Sequence, residues 1–169
     1  EVGHLNIGAG RTVSQNLPRI NNAIAKGMLL KNNTLREAYI HAQKFGSNIH
    51  LIGLLSDGSV HSHIDHFKAI IDYLSKTNFP NNVYIHAITD GRDSPPNKSL
   101  EYITEIDRYC LEHGVGTIGT IIGRYYAMDR NKKWDRTQRA YYLFEQNFGE
   151  KFPSYTTAIE AQYSRGLTD

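Results

Sequence analysis

The sequence predicts an α/β domain, a three-layer α/β/α arrangement with a mostly parallel sheet. Two observations carry this. Short apolar runs alternate with stretches whose apolar residues recur at helical spacing, the pattern of successive βαβ units. The runs are continuous rather than alternating, which fits strands covered on both faces. Crossovers between such strands are right-handed. No linker, low-complexity stretch or composition shift divides the 169 residues, so residues 1–169 read as a single domain.

The chain begins with residues 1–11, which carry Gly3, Gly8 and Gly10 and read as loop, with Gly8-Ala9-Gly10-Arg11 able to offer backbone amides to an anion. Ile20 to Leu30 is mildly helical. Asn33 and Thr34 open a clearer helix: Thr34 and Glu37 stand at capping-box spacing, Leu35, Ala38, Ala42 and Phe45 share a face, and Gly46 supplies the stop. The apolar run from His50 to Leu55 is the first strand, and it ends in Ser56-Asp57-Gly58-Ser59-Val60-His61-Ser62-His63. Ile64, Phe67, Ile71 and Leu74 then mark a helix. Val83 to Thr89 is the second strand and Asp90 to Pro96 its exit loop. A helix from near Ser99 carries Leu100, Ile103, Ile106 and Cys110 and stops at Gly114. Val115 to Ile122 is the third strand, ending in Gly123-Arg124-Tyr125-Tyr126-Ala127-Met128-Asp129-Arg130. Two last helices run from about Trp134 to Phe148 and from Thr156 to Tyr163.

Composition excludes several classes. No apolar run approaches the roughly 20 residues of a membrane span. The net charge of +2 is too small to argue for nucleic acid. The single cysteine, Cys110, leaves no internal disulfide and fits a reducing compartment; its helical position makes it a core residue. No signal-peptide pattern opens the chain, which starts without Met, so Glu1 reads as a cut point inside a longer, cytoplasmic protein.

The chemistry collects where such a sheet binds ligands, beyond the carboxyl ends of its strands. Parallel strands bring Asp57 and His61, Asp90, Arg92 and Asp93, and Arg124 and Arg130 to one edge. Three arginines converging from successive strand ends suit a multiply anionic small molecule, because the planar guanidinium meets phosphate or carboxylate with paired hydrogen bonds. Asp93 can act as a general base toward a substrate hydroxyl, or cap the next helix. His61 can donate to an anion or shuttle a proton, or simply pack in its loop. Asp57 and Asp90, each before a glycine, read as turn formers.

Two rival readings come from the residues. His61-Ser62-His63-Ile64-Asp65-His66 spells HxHxDH after an apolar strand and resembles the zinc loop of the metallo-β-lactamase superfamily, a hydrolase chemistry for clustered imidazoles. The glycine pair usual after that motif is replaced by Phe67-Lys68. The stretch from Arg130 to Arg139, basic, interleaved with Trp134 and adjoining Tyr141 and Tyr142, offers an RNA-binding surface, or the solvated face of a helix.

Glu1 to Arg11 resembles the stretch just after the nucleophilic serine of cofactor-independent phosphoglycerate mutase. Ser56 to His63, Asp90 to Pro96, Gly123 to Arg130 with Trp134-Asp135-Arg136, and Ala161 to Asp169 resemble that family's other signatures, in order and over essentially the whole chain. Ser59 and Ser94 depart from the more usual Gly and Thr. The resemblance implies a two-domain metalloenzyme that moves phosphate from 3-phosphoglycerate to a serine and back to the 2-hydroxyl. One domain, similar to alkaline phosphatase, holds two Mn²⁺ and the serine; this chain resembles the inserted substrate-binding domain. By resemblance His61, Arg92, Asp93, Arg124 and Arg130 bind phosphoglycerate, with Asp93 as the acid/base. The same resemblance implies that the chain itself holds no metal, needs the phosphatase-like domain as its partner, is monomeric and binds neither nucleic acid nor membrane. Alone it is expected to lack mutase activity and to bind 3-phosphoglycerate weakly, if at all.

Overall fold

The computed structural model describes residues 2–168. The chain starts in helix where the glycines suggest loop. Helix α1 spans Val2–Ala9, and only at Gly10, with φ of 60°, does the backbone turn left-handed. Gly8-Ala9-Gly10 therefore lies at a helix C-terminus, which leaves carbonyls rather than amides unpaired, and the expected anion cradle is not formed. Helix α2 (Asn16–Ala25) begins earlier than Ile20 because Pro18 falls in its first turn, where a missing N–H costs nothing. A 3₁₀ turn at Leu29–Lys31 leads to α3 (Asn33–Phe45). Its cap is Asn32, whose side chain accepts from Leu35 N, rather than Thr34. Gly46 ends it at φ 61° as expected. Of its predicted apolar face only Ala42 is buried, and Phe45 stays exposed.

Three strands form one parallel sheet: β1 (Ile49–Leu54), β2 (Val83–Thr89) and β3 (Thr117–Gly123), in the order β1-β2-β3. Helix α4 (Ile64–Lys76) connects the first pair and α5 (Ser99–His113) the second. Two right-handed crossovers running the same way across the sheet put both helices on the same face. There Leu55, Ile64, Phe67, Ile71, Ile85, Ala87, Tyr102, Ile103, Ile106 and Cys110 form the main core, joined by Ile159. Fully burying one such aliphatic side chain stabilises the fold by roughly 1.5–3 kcal/mol. Burial also pushes the Cys110 thiol up to about 12, so it stays a neutral packing group. Ala42, Tyr73, Leu74, Phe79 and Val83 make a second cluster that ties α3 to α4.

After β3 come α6 (Arg124–Ala127), α7 (Trp134–Gln146) and α8 (Tyr155–Ser164). Helix α7 lies on the opposite face, where the Phe144 ring meets His86 edge-on at 5.5 Å. Helix α8 is capped by Ser154, which accepts from Thr157 N, and packs Ile159 into the main core.

The expectation of strands buried on both faces holds for β2 alone. In β1 burial alternates, and Ile52 is 55% exposed, because α7 does not reach this far across the second face. The pairing of β2 with β3 skips one residue: Ile85 faces Ile118 but His86 faces Thr120, leaving Gly119 as a bulge. Beyond the bulge Thr89 pairs with Gly123, so the two strands end level.

A charged candidate site at the carboxyl edge of the sheet

Asp90 comes directly after the last residue of the central strand and has no exposed surface. Its Oδ1 accepts from the backbone N–H groups of Arg92, at 2.9 Å, and Asp93, at 3.0 Å. The Ser94 hydroxyl donates to the Asp90 carbonyl at 3.1 Å. These bonds fold residues 90–94 into a tight loop, the turn-forming role read from Asp-Gly. The Asp90 carboxylate also reaches beyond its own loop. Arg124, the first residue past β3, donates from Nη1 to Asp90 Oδ1 at 2.8 Å and to Asp93 Oδ2 at 2.6 Å. The level strand ends make this reach possible.

The electrostatics are consistent with that geometry. Burial is the largest influence on Asp90 and opposes its charge. The bonds from Arg124, from the Arg92 and Asp93 amides and from Ser56 together still hold its carboxyl below the usual range. Burial likewise works against the charge on Arg124, and the two carboxylates raise its pKa nonetheless. Asp90 Oδ2 is buried with no hydrogen-bond partner within bonding distance. Asp93 does not cap α5, which starts at Ser99 with no side-chain cap; its carboxylate is turned to Arg124.

The loop after β1 completes the group. His61 Nε2 lies 3.7 Å from Asp93 Oδ2, and its side chain is half exposed. Gly58 touches the backbone of Asp93: a Cβ placed on it would sit 2.5 Å from the Asp93 carbonyl oxygen. Arg92 and Arg130 leave the same edge of the sheet on exposed loops. Among the described residues neither guanidinium holds a hydrogen bond or ion pair, so both are cations without an internal partner. The structure thus brings His61, Asp93 and Arg124 together and adds Asp90. It places Arg92, next to Asp93, and Arg130 in the adjoining loops, with neither guanidinium bonded to the other three among the described residues.

The zinc reading loses its geometry, and in the basic stretch two of the arginines are engaged within the fold. His63 is the N-cap of α4 and its Nδ1 accepts from Asp65 N. His66 Nε2 bonds the Asn21 side chain at 2.8 Å, and His61 faces Asp93. The HxHxDH imidazoles therefore point to three different partners, and among the described residues no group of three or more His, Cys, Asp or Glu side chains converges as metal ligands. In the basic stretch, Arg136 stacks on Tyr125 at 3.8 Å and lies 3.5 Å from Asp129, while Arg139 lies over Tyr126 at 5.2 Å. These arginines fasten α7 to α6. No described helix is long and apolar enough to cross a membrane.

Sequence reasoning missed Asp90 as an ion-pair partner, and missed Tyr102. The Tyr102 hydroxyl donates to Asp57 Oδ1 at 2.5 Å from within the core, with 3% of the residue exposed. The available signal for Asp90 was its place at the end of the most apolar strand, where a carboxylate must find a cation.

A three-stranded parallel sheet with a buried aspartate-arginine pair and further exposed arginines at its carboxyl edge defines an α/β domain with a charged carboxyl edge. Comparison with known proteins narrows the class. The model of the family described as BPG-independent PGAM N-terminus matches residues 20–169, and the chain belongs to that family. Curated relatives named 2,3-bisphosphoglycerate-independent phosphoglycerate mutase match over all 169 residues: those of Clostridium tetani at 50% identity, Clostridium beijerinckii at 48% and Picosynechococcus at 45%. The chain spans about a third of their length, 32–33%. Among solved structures, Leishmania mexicana phosphoglycerate mutase, crystallised at low cobalt concentration, superposes with a TM-score of 0.85 at 28% identity, over 92% of this chain and 29% of that one.

Proposed function

We propose that residues 1–169 form the substrate-holding part of a glycolytic phosphoglycerate mutase that interconverts 3-phosphoglycerate and 2-phosphoglycerate through a phosphoserine. The observation that carries this is the Arg124 guanidinium held at 2.8 and 2.6 Å by two carboxylates at the sheet edge. Only Nη1 is engaged in those bonds, so the fork keeps Nη2 and Nε as donors for an anion. Arg92 and Arg130, charged and without internal partners, supply the further positive charge that a substrate bearing both phosphate and carboxylate requires.

In this reading Arg124 does two things. It binds the glycerate, and it fixes the Asp93 carboxylate in one orientation. Asp93 is then positioned to take a proton from a glycerate hydroxyl and to return it as phosphate moves. His61, within 3.7 Å of Asp93, donates to the same substrate or passes its proton onward. The relative crystallised with cobalt points to a metal-dependent family. The donor set here does not fit a metal ion, since no three ligating side chains converge among the described residues. The two Mn²⁺ and the serine then belong to the remainder of a longer, cytoplasmic and monomeric protein, and no step on this chain runs through a metal.

The test is a titration of the 169-residue chain with 3-phosphoglycerate, monitored by amide NMR. Shifts should concentrate at His61, Arg92, Asp93, Arg124 and Arg130. Shifts confined to the α4–α5 surface would overturn the assignment. With Mn²⁺ added, the chain alone should show no mutase turnover.

A further inference from the structure

Tyr102 lies one helical turn into α5, and its ring is part of the main core. Its hydroxyl leaves the core to donate to Asp57 Oδ1 at 2.5 Å. That bond crosses between two separate βα units, since Asp57 belongs to the loop after β1. Asp57 sits on a strongly constrained turn. Ser56 is buried and its Oγ accepts from Gly58 N at 2.9 Å, Ser59 takes a positive φ of 56°, and the Ser59 hydroxyl donates to the Asp57 carbonyl at 3.2 Å. The next residue, Gly58, is pressed so closely on Asp93 that a Cβ would lie 2.5 Å from its carbonyl oxygen, 2.8 Å from its carbonyl carbon and 3.0 Å from its Cβ. Three residues further on, His61 meets the Asp93 carboxylate.

We propose that Tyr102 is a positioning residue: by anchoring Asp57 it presses the Gly58 turn against the backbone of Asp93 and so sets where the Asp93 carboxylate and His61 stand relative to Arg124. The inference rests on the phosphoglycerate reading given above. Asp93 is clamped from two sides. Arg124 holds its carboxylate, and the β1 loop holds its backbone. In the second clamp local bonds shape the turn, and the phenol hydrogen bond is the one that the Asp57 side chain makes to α5, since Asp57 is exposed and makes no other side-chain bond among the described residues. Burial and the neighbouring Asp57 push the phenol up to about 12, so it remains a donor at neutral pH. Losing it frees the turn to drift, and an acid/base group displaced by about 1 Å loses up to a hundred-fold in rate.

The experiment uses the full-length enzyme with Tyr102→Phe, Asp57→Ala, Asp57→Asn and the double variant Tyr102→Phe/Asp57→Ala. Rates are scaled to the folded fraction measured by circular dichroism. Tyr102→Phe and Asp57→Ala should each lower kcat roughly ten-fold or more with KM changed much less, and should shift the pH profile of kcat. The double variant should be no worse than either single one, and Asp57→Asn, which keeps an acceptor for the phenol, should recover most of the loss. Unchanged kcat and pH profile in Tyr102→Phe, or additive losses in the double variant, would overturn the proposal. Asp93→Asn and Arg92→Ala separate the two levels. If those lose activity while Tyr102→Phe does not, only the positioning role fails. If they too are unaffected, the site reading itself fails.

Discussion

Arg124 donates from Nη1 at 2.8 Å to Asp90, a carboxylate with no solvent-exposed surface. The side chain of Arg124 is itself only 11% exposed. A charge in that position is tolerated only while its partner is present, because removing one member leaves the other buried and uncompensated.

Arg124→Ala should therefore lower the unfolding free energy of the 169-residue chain by about 3 kcal/mol or more, the range seen when one partner of a buried pair is removed. Asp90→Asn should cost less in stability, since its side-chain carbonyl still accepts from the Arg92 and Asp93 N–H groups. Urea denaturation of both variants measures the difference. Equal and small losses would show that the pair carries no structural weight.

Arg92→Ala and Arg130→Ala should behave in the opposite way. Both side chains are exposed and without internal partners, so each substitution should change stability by less than about 0.5 kcal/mol. In the full-length enzyme each should weaken substrate use by roughly ten-fold or more, the worth of one charge-assisted hydrogen bond. Steady-state kinetics with 3-phosphoglycerate checks this.

Gly58→Ala tests close packing. The new methyl would overlap the Asp93 backbone at 2.5 Å, and backbone cannot step aside as a flexible side chain can. Overpacking of this kind costs about 1–3 kcal/mol. A lowered melting temperature together with lost mutase activity is expected. Gly46→Ala, which disturbs a helix cap far from the site, should lower stability alone.

His86 gives a pH dependence. Its ring is buried against Phe144, with Nε2 2.8 Å from His50 Nδ1 and Nδ1 2.8 Å from Thr120 Oγ1. Burial first, and the neighbouring His50 second, lower its pKa from 6.5. The folded state thus binds this proton less readily than the unfolded chain. The resulting stability is fully present above about pH 6.5 and is lost as pH falls through the lower folded value. His66, lowered mainly by burial, adds to the same trend. Urea unfolding between pH 8 and pH 5 should show the decline, and His86→Gln should flatten it.

Much of the fold is legible in the sequence because local signals agree. Val83–Thr89 is a mostly apolar strand interrupted by His86, recognisable to its ends, as are the glycine stops at Gly46 and Gly114. The family resemblance agrees with the family match. The features that escape sequence reading depend on neighbours. Helix α1 is hidden by its glycines, and the exposure of Ile52 reflects how little of the second face α7 covers. Asp90 reads as a turn residue because its local role is genuine, while its longer-range role needs a strand 34 residues away to end beside it. The Tyr102–Asp57 bond spans 45 residues and leaves no periodic trace.

The bulge at Gly119 has a consequence for how this strand tolerates change. A strand's side chains alternate sides with a period of two, so one extra residue resets the phase partway along. The extra residue lets Ile118 before it and Ile121 after it, three positions apart, both face the main core. Straightening the strand by deleting Gly119 would leave the core half in place. It would also leave Thr120 opposite His86 and Gly123 opposite Thr89, so Arg124 would still leave the strand level with Asp90. A residue added after Thr120, by contrast, would carry Arg124 past Asp90 by about 3.3 Å with every charged residue untouched.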